Sequence, residues 1–222
     1  MLLGRLKNEP PDVRHRLNMH ELNELLVACW TRVDELLPVA DLDGLPNVGN
    51  RHNVFLAVVT IALYQSLRQR GFSPENANLL VSDAGWEVYR RMLQLASLPF
   101  RLSTKDSGKR LSRTLRALMV FPFNAPGYPG YEVEVWHEGG DTFTYWTHCP
   151  PLAFVRALIE KQGDGGELAA FAGSWCKYDW DGANIIASDG NRDHYGRTRT
   201  MSLGDPVCDM CWFADACQTS NV

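Results

Sequence analysis

Near Phe123 the hydrophobic period of the chain changes, and any fold for this sequence has to accommodate the change. Upstream, apolar residues recur at three- and four-residue intervals, as on helices with one buried face. Downstream, "FNAPGYPGYEVEVWHEGGDTFTYWTHC" (Phe123–Cys149) passes through the turn dipeptides Pro126-Gly127 and Pro129-Gly130 into alternation over Tyr131–Trp136 and Thr142–Thr147. Glu138-Gly139-Gly140-Asp141 supplies the hairpin turn between those runs. Two helical segments follow, about Leu152–Lys161 and Gly166–Ile186, then the loop Ser188–Asp193. Tyr195–Leu203 and Val207–Phe213 read as a second hairpin around Gly204-Asp205-Pro206. The expected fold is α+β: a helical N-terminal half packed on an antiparallel sheet built in the order strand pair, helix pair, strand pair, with the helices on one face.

Gly and Pro punctuate the helical half. A first amphipathic helix runs from about Pro10 to Leu37 and is expected to end at Pro38; Val39–Asn53 reads as a Gly/Pro/Asn-rich connector. A second helix covers about Val54–Arg70 and stops at Gly71. Ser73-Pro74-Glu75 marks the next start, with Ser73 as N-cap, and that helix reaches roughly Leu95 before Leu98-Pro99 interrupts. Leu111–Val120 is helical again. The chain divides into residues 1–53, an amphipathic helix with its connector, and 54–222, an α+β catalytic domain. The first helix could cover a second copy instead of its own core, so a homodimer is expected to be possible.

At 222 residues the chain can bury a substantial core. Its net charge of −4 gives no reason to expect nucleic acid or an anionic membrane as partner. Basic side chains cluster locally, in Lys105–Arg116 and Arg192–Arg199, where a small anionic ligand fits more easily than a polyanion. The opening "MLLGRLKNEPPD" is charged too early for a signal peptide, and no apolar run reaches membrane-spanning length. Six cysteines without an export signal imply thiols in a reducing compartment, and hence a cytoplasmic protein.

Chemistry centres on those thiols. Cys149 sits between a strand and a helix, where unpaired N–H groups and the helix dipole favour thiolate; the alternative is a small buried hydrophobe at a junction. His148 beside it could assist or point away. Leu168, Phe171, Ala172, Trp175 and Cys176 mark one helical stripe, and the same period lands on Asp179. A carboxylate on an apolar stripe either holds a backbone amide or a buried Arg, or acts as an acid or base with a displaced pKa. Cys208 and Cys211 are three apart and on a strand face opposite sides, which disfavours a zinc site; Cys208 could still join Cys149 and Cys176 in one pocket. Cys29 and Cys217 read as incidental. Arg197 and Arg199 share one face of their strand, either facing solvent or gripping a ligand carboxylate.

"T-x-C-P" at Thr147–Pro150, "C-x-x-D" at Cys176–Asp179 and "R-T-x-T-x-x-x-G-D-x-x-C-D" at Arg197–Asp209 together resemble the L-2-amino-thiazoline-4-carboxylic acid hydrolase family, from about Tyr131 to Phe213. Met210, where an aromatic commonly follows the Cys-Asp pair, and the added Cys211 depart from its pattern. The resemblance implies a hydrolase that opens a small carboxylate-bearing cyclic amidine, or cuts a related C–N or C–S bond, in small-molecule metabolism. Cys149, Cys176, Asp179 and Cys208 would carry the chemistry, and Thr147, His148, Arg197, Arg199 and Asp209 would surround the substrate. No cofactor is required. One alternative is a zinc-assisted hydrolase using two or three of Cys149, Cys176, Cys208 and Asp179. Another is a non-catalytic binding domain of the vinyl-reductase type, its cavity lined by Trp136, Trp146, Trp175, Trp180 and Trp212.

Overall fold

Asn18 starts the first helix. Its side chain accepts from the backbone N–H groups of His20 and Glu21, while Glu21 reaches back to the Asn18 N–H, closing a capping box. The structure, a computed structural model, describes residues 17–191 and 193–215. The first part of the expected helix (10–16), Arg192 and Cys217 lie outside those residues. Helix α1 spans Met19–Ala40 and buries Leu25, Cys29, Val33, Leu36 and Ala40 at helical spacing. Pro38 does not end it: the ring is exposed, and the helix runs on to a left-handed Asp41 (φ 43°). A proline here forfeits one N–H bond and crowds the preceding turn, but burial of Leu36 and Ala40 on either side holds the helix.

The expected connector is mostly helix. After one 3₁₀ turn at Leu42–Gly44, α2 spans Val48–Gln69, capped by Asn47, whose side chain accepts from the Asn50 N–H. Asn50 and Asn53, which look like loop formers in sequence, are buried inside α2. Asn50 donates to the Asn124 carbonyl (2.9 Å) and Asn53 to the Tyr131 hydroxyl (3.0 Å), tying the helix to the segment that leads into the sheet. Gly71 then takes a positive φ (89°). Helix α3 spans Pro74–Ser103, capped by Ser73; it continues through Leu98-Pro99, where a break was expected. Helix α4, Ser107–Val120, starts at Asp106, four residues before the expected start. Within the basic cluster, Arg110 is buried and donates to the Ala187 and Lys105 carbonyls, an internal clamp between helices.

Strands β1 (Glu132–Glu138) and β2 (Asp141–His148) form the expected hairpin, with Gly139 and Gly140 both at positive φ. Helix α5 covers Pro150–Gln162. The single helix expected next is divided: α6 (Glu167–Phe171), a π-helical turn (Ala172–Cys176) and α7 (Tyr178–Ala187). Strand β3 is short, Tyr195–Arg197, followed by a 3₁₀ turn at Met201–Leu203; β4 is Cys208–Trp212. All pairings are antiparallel in the order β1-β2-β4-β3, so the last strand docks beside β2 and joins the hairpins into one sheet. The fold is thus α+β, with a helical N-terminal half and a four-stranded antiparallel sheet. The largest core cluster takes Val33 and Leu36 from α1, Val58 and Ile61 from α2, Val155 from α5 and Trp146 from β2. The apolar face of α1 therefore covers its own chain. Among the described residues, no helix is long and apolar enough to cross a membrane.

Candidate functional site

Sheet register decides which side chains meet the helices. Thr142, Thr144 and Trp146 of β2 lie opposite Trp212, Met210 and Cys208 of β4, while Arg197 of β3 lies opposite Met210. With Val135 and His137 of β1, this face lines a cavity of about 530 Å³. Helices close the other walls through Asn53 and Thr60 (α2), Tyr89 and Met92 (α3), and Leu115 and Met119 (α4). The lining is predominantly apolar, as small-molecule sites are, with a few polar groups set into it.

Those polar groups gather around the π-helical turn. Cys149, the N-cap of α5, Cys176 at the end of the π turn, Asp179 in α7, Cys208 and Arg197 all line this cavity. A π turn is wider than an α turn and leaves carbonyls without helical partners. Ser82 of α3 donates to one of them, on Gly173 (3.0 Å), and Arg197 Nη2 donates to another, on Cys176 (2.7 Å). The same guanidinium gives Nη1 to Asp179 Oδ2 (3.1 Å), which also accepts from the Tyr195 hydroxyl (3.3 Å). Arg197 is 4 % exposed at its side chain and stacks 4.6 Å over the Trp180 ring. Asp179 Oδ1 has no hydrogen-bond partner among the described residues and is not sealed from the cavity. One carboxylate oxygen is therefore anchored and the other is open.

Electrostatics at the site follow from burial. Burial pushes the Asp179 carboxyl up from its ordinary 3.8 to about 6, although Arg197 and the Tyr195 hydroxyl pull it down. Burial likewise pushes Cys176 up to about 12; the Ser202 hydroxyl, 3.2 Å from its sulfur, works against the shift, as does Arg197. Cys149 is raised further still by burial, against the opposing pull of the Leu152 N–H at the helix start. Of the two readings of Cys149, burial favours the protonated thiol, because desolvation outweighs the pull of the helix start. Cys208, whose sulfur accepts from the Met201 N–H (3.2 Å), is also raised by burial.

The remaining sequence candidates lie elsewhere. Thr147 is exposed and bonds Glu132 on the outer side of the sheet. His148 points away from Cys149: its Nδ1 is 2.6 Å from the Gly130 carbonyl and its ring packs on Tyr128. Arg199 does not share the face of Arg197, because β3 ends at Arg197 and the chain turns outward. Asp209, on the outer face of β4, accepts from the Thr198 and Arg199 N–H groups, the Thr198 hydroxyl and Arg199 Nε. Burial alone would raise the Asp209 carboxyl, but these bonds hold it well below the usual carboxylate range. The pair is a turn clamp. Cys208 and Cys211 face opposite sides, as their spacing requires. Trp146, Trp175 and Trp212 line the cavity, whereas Trp136 stacks on Phe143 and Trp180 lies under Arg197. Among the described residues, no three His, Cys, Asp or Glu side chains converge closely enough to hold a metal ion.

Tyr195, Ser202 and Tyr89 are additions to the expected site. Tyr195 stands two positions before Arg197 on its strand, a period-two signal present in the sequence. Ser202 and Tyr89 reach the site only through tertiary packing, which leaves no local mark. Comparison with protein-family models, with curated proteins and with solved structures found no match to this chain.

Proposed function

We propose that the cavity is the active site of a hydrolase that opens a cyclic amidine or cuts a related C–N or C–S bond of a small molecule. The main support is the placement of Asp179 beside Cys176 in an apolar cavity, one carboxylate oxygen tied to Arg197 and the other open. The motifs that resemble the 2-aminothiazoline-4-carboxylate hydrolases fall on these same residues. With its carboxyl at about 6, Asp179 is mostly ionised near neutral pH and can accept a proton.

Cys176 is the favoured nucleophile, because it lies within the field of Asp179 and Arg197. The proton moves during attack, not before it. Between a thiol pushed up to about 12 and a carboxyl at about 6, full transfer is strongly uphill in the unliganded cavity. An amidinium substrate lowers that cost by placing positive charge next to the sulfur. Sulfur adds to the sp² carbon as its proton passes to Asp179 Oδ1. Collapse of the adduct expels the ring heteroatom, which takes that proton. Water then attacks the thio-adduct, Asp179 removes its proton, and Cys176 leaves as thiol with the proton returned. Arg197 is a positioning residue: its two terminal nitrogens are engaged by Asp179 and the Cys176 carbonyl, and its Nε, without a partner among the described residues, is buried out of reach of a substrate carboxylate. At the rim, Arg116 and His137 line the cavity and can take that role.

A non-catalytic binding site is the second reading, favoured by the apolar walls and by thiols that burial keeps protonated. Intact-protein mass spectrometry with turnover assays on cyclic amidines separates the two. The hydrolase reading expects a covalent adduct lost in Cys176→Ser, and at least a hundredfold lower turnover in Asp179→Asn. A bound ligand returned unchanged, with no adduct on any cysteine, would leave binding as the function.

A further inference from the structure

Charge is segregated along this chain. Its net charge is −4, yet the stretch from Val88 to Phe121 holds eight Arg and Lys residues and a single acid, Asp106. Arg110 is spent on the internal clamp, and Arg91 and Lys109 pair with Glu87 and Asp106, but Arg101, Lys105, Arg113 and Arg116 are exposed and stand outside those ion pairs. Between them runs an apolar stripe. The second half of α3 buries Leu93 and Ser97 toward the protein and turns Val88, Met92, Leu95, Leu98 and Leu102 outward, with Leu95 72 % and Leu102 81 % exposed. Val120 and Phe121 at the end of α4 are exposed as well. Val88 and Met92 also line the cavity, so the stripe continues into the cavity's apolar interior.

We propose that this face of α3 and α4 docks on a bilayer surface containing anionic lipid, with the cavity mouth against the lipid. Exposed leucines at helical spacing suit the acyl boundary, and the surrounding Arg and Lys suit headgroup phosphates. Among the described residues no helix is long and apolar enough to span a membrane, so the proposed contact is peripheral. A second copy fits the face poorly, because in a two-fold pairing at the C-terminal end of α3 the basic side chains of Arg101 and Lys105 would meet their own kind. An acidic protein partner would answer the charge but not the exposed Leu95, Leu98 and Leu102. A bilayer answers the charge and the stripe together. The proposal stands whether the cavity catalyses or only binds.

Vesicle flotation of the full chain tests it. We expect co-flotation with vesicles of phosphatidylglycerol and phosphatidylcholine, at least tenfold weaker partition onto phosphatidylcholine alone, and weakening by added salt. The double variants Leu95→Glu/Leu102→Glu and Arg101→Glu/Lys105→Glu should each lower partition at least tenfold, with unchanged urea midpoints, since all four side chains are exposed. No partition onto anionic vesicles overturns the proposal, as does partition untouched by both double variants. A stable dimer in solution that Leu102→Glu splits also overturns it, by assigning the stripe to a second copy.

Discussion

At Cys149 two effects oppose each other. The start of α5 offers Cys149 only the Leu152 N–H, since Pro150 and Pro151 have none, and the surrounding apolar side chains remove the water that a thiolate needs. Burial wins, because losing hydration costs more than one helix terminus returns. The position of Cys149 was legible in the sequence; its protonation state was not, since burial is decided by α2, α3 and α4, remote in the chain. Asp179 follows the same logic with opposite consequences for stability. Its carboxyl titrates higher in the folded state than in the unfolded chain, so the protonated form favours folding. Its favourable contribution is complete below pH 3.8 and is lost as pH rises toward about 6. Relative to Asp179→Asn, the wild type should therefore lose about 1 kcal/mol of stability between pH 5 and pH 7.5. Urea unfolding of both proteins at the two pH values measures this. A gap independent of pH would mean that Asp179 titrates normally in the folded protein.

The π turn at Ala172–Cys176 is the element that makes the site, and it is the element hardest to read in advance. The stripe from Leu168 to Asp179 reads as one continuous helix, because a single wide turn shifts the phase of a helix without breaking its apolar pattern. Alternation, by contrast, revealed β1 and β2 nearly to their ends, and the outward-facing Cys211 followed from spacing alone. Arg197 and Arg199 were misjudged as a same-face pair because a strand of three residues ends before the second of them. Pro38 stayed within α1, where Leu36 and Ala40 on either side of it are buried; nothing in the packing accounts for Pro99, which is exposed within α3. Arg197 now emerges as the tie between β3, α7 and the π turn. On the hydrolase reading, the acid limb of kcat/KM lies near pH 6, set by Asp179. Arg197→Gln removes the cation that lowers this carboxyl, so the limb should move upward by at least one pH unit while maximal turnover falls. A purely structural arginine would reduce turnover without displacing the limb, and the pH–rate profile of the variant distinguishes the two.

For the molecule as a whole, α1 carries the strongest consequence. Read by period alone, residues 1–53 look separable from the rest, because a connector rich in Gly, Pro and Asn follows an amphipathic helix. In the folded chain that connector shrinks to a single 3₁₀ turn and a short approach to α2. Val33, Leu36 and Ala40 enter the same core cluster as Val58 of α2, Val155 of α5 and Trp146 of β2. A helix that shares a close-packed core cannot leave without exposing its partners, so its loss and the loss of the sheet should be one event. Leu36 is 4 % exposed, and truncating it to Ala should cost about 3 kcal/mol. Urea unfolding in a Trp30→Phe background, which removes the tryptophan of α1 and keeps Trp146, Trp175 and Trp212 of the cavity walls, should give coincident midpoints by far-UV circular dichroism and by tryptophan fluorescence. Leu36→Ala should shift both midpoints together. If only the helical signal moves, α1 unfolds independently, and the cavity would keep its shape without the first helix.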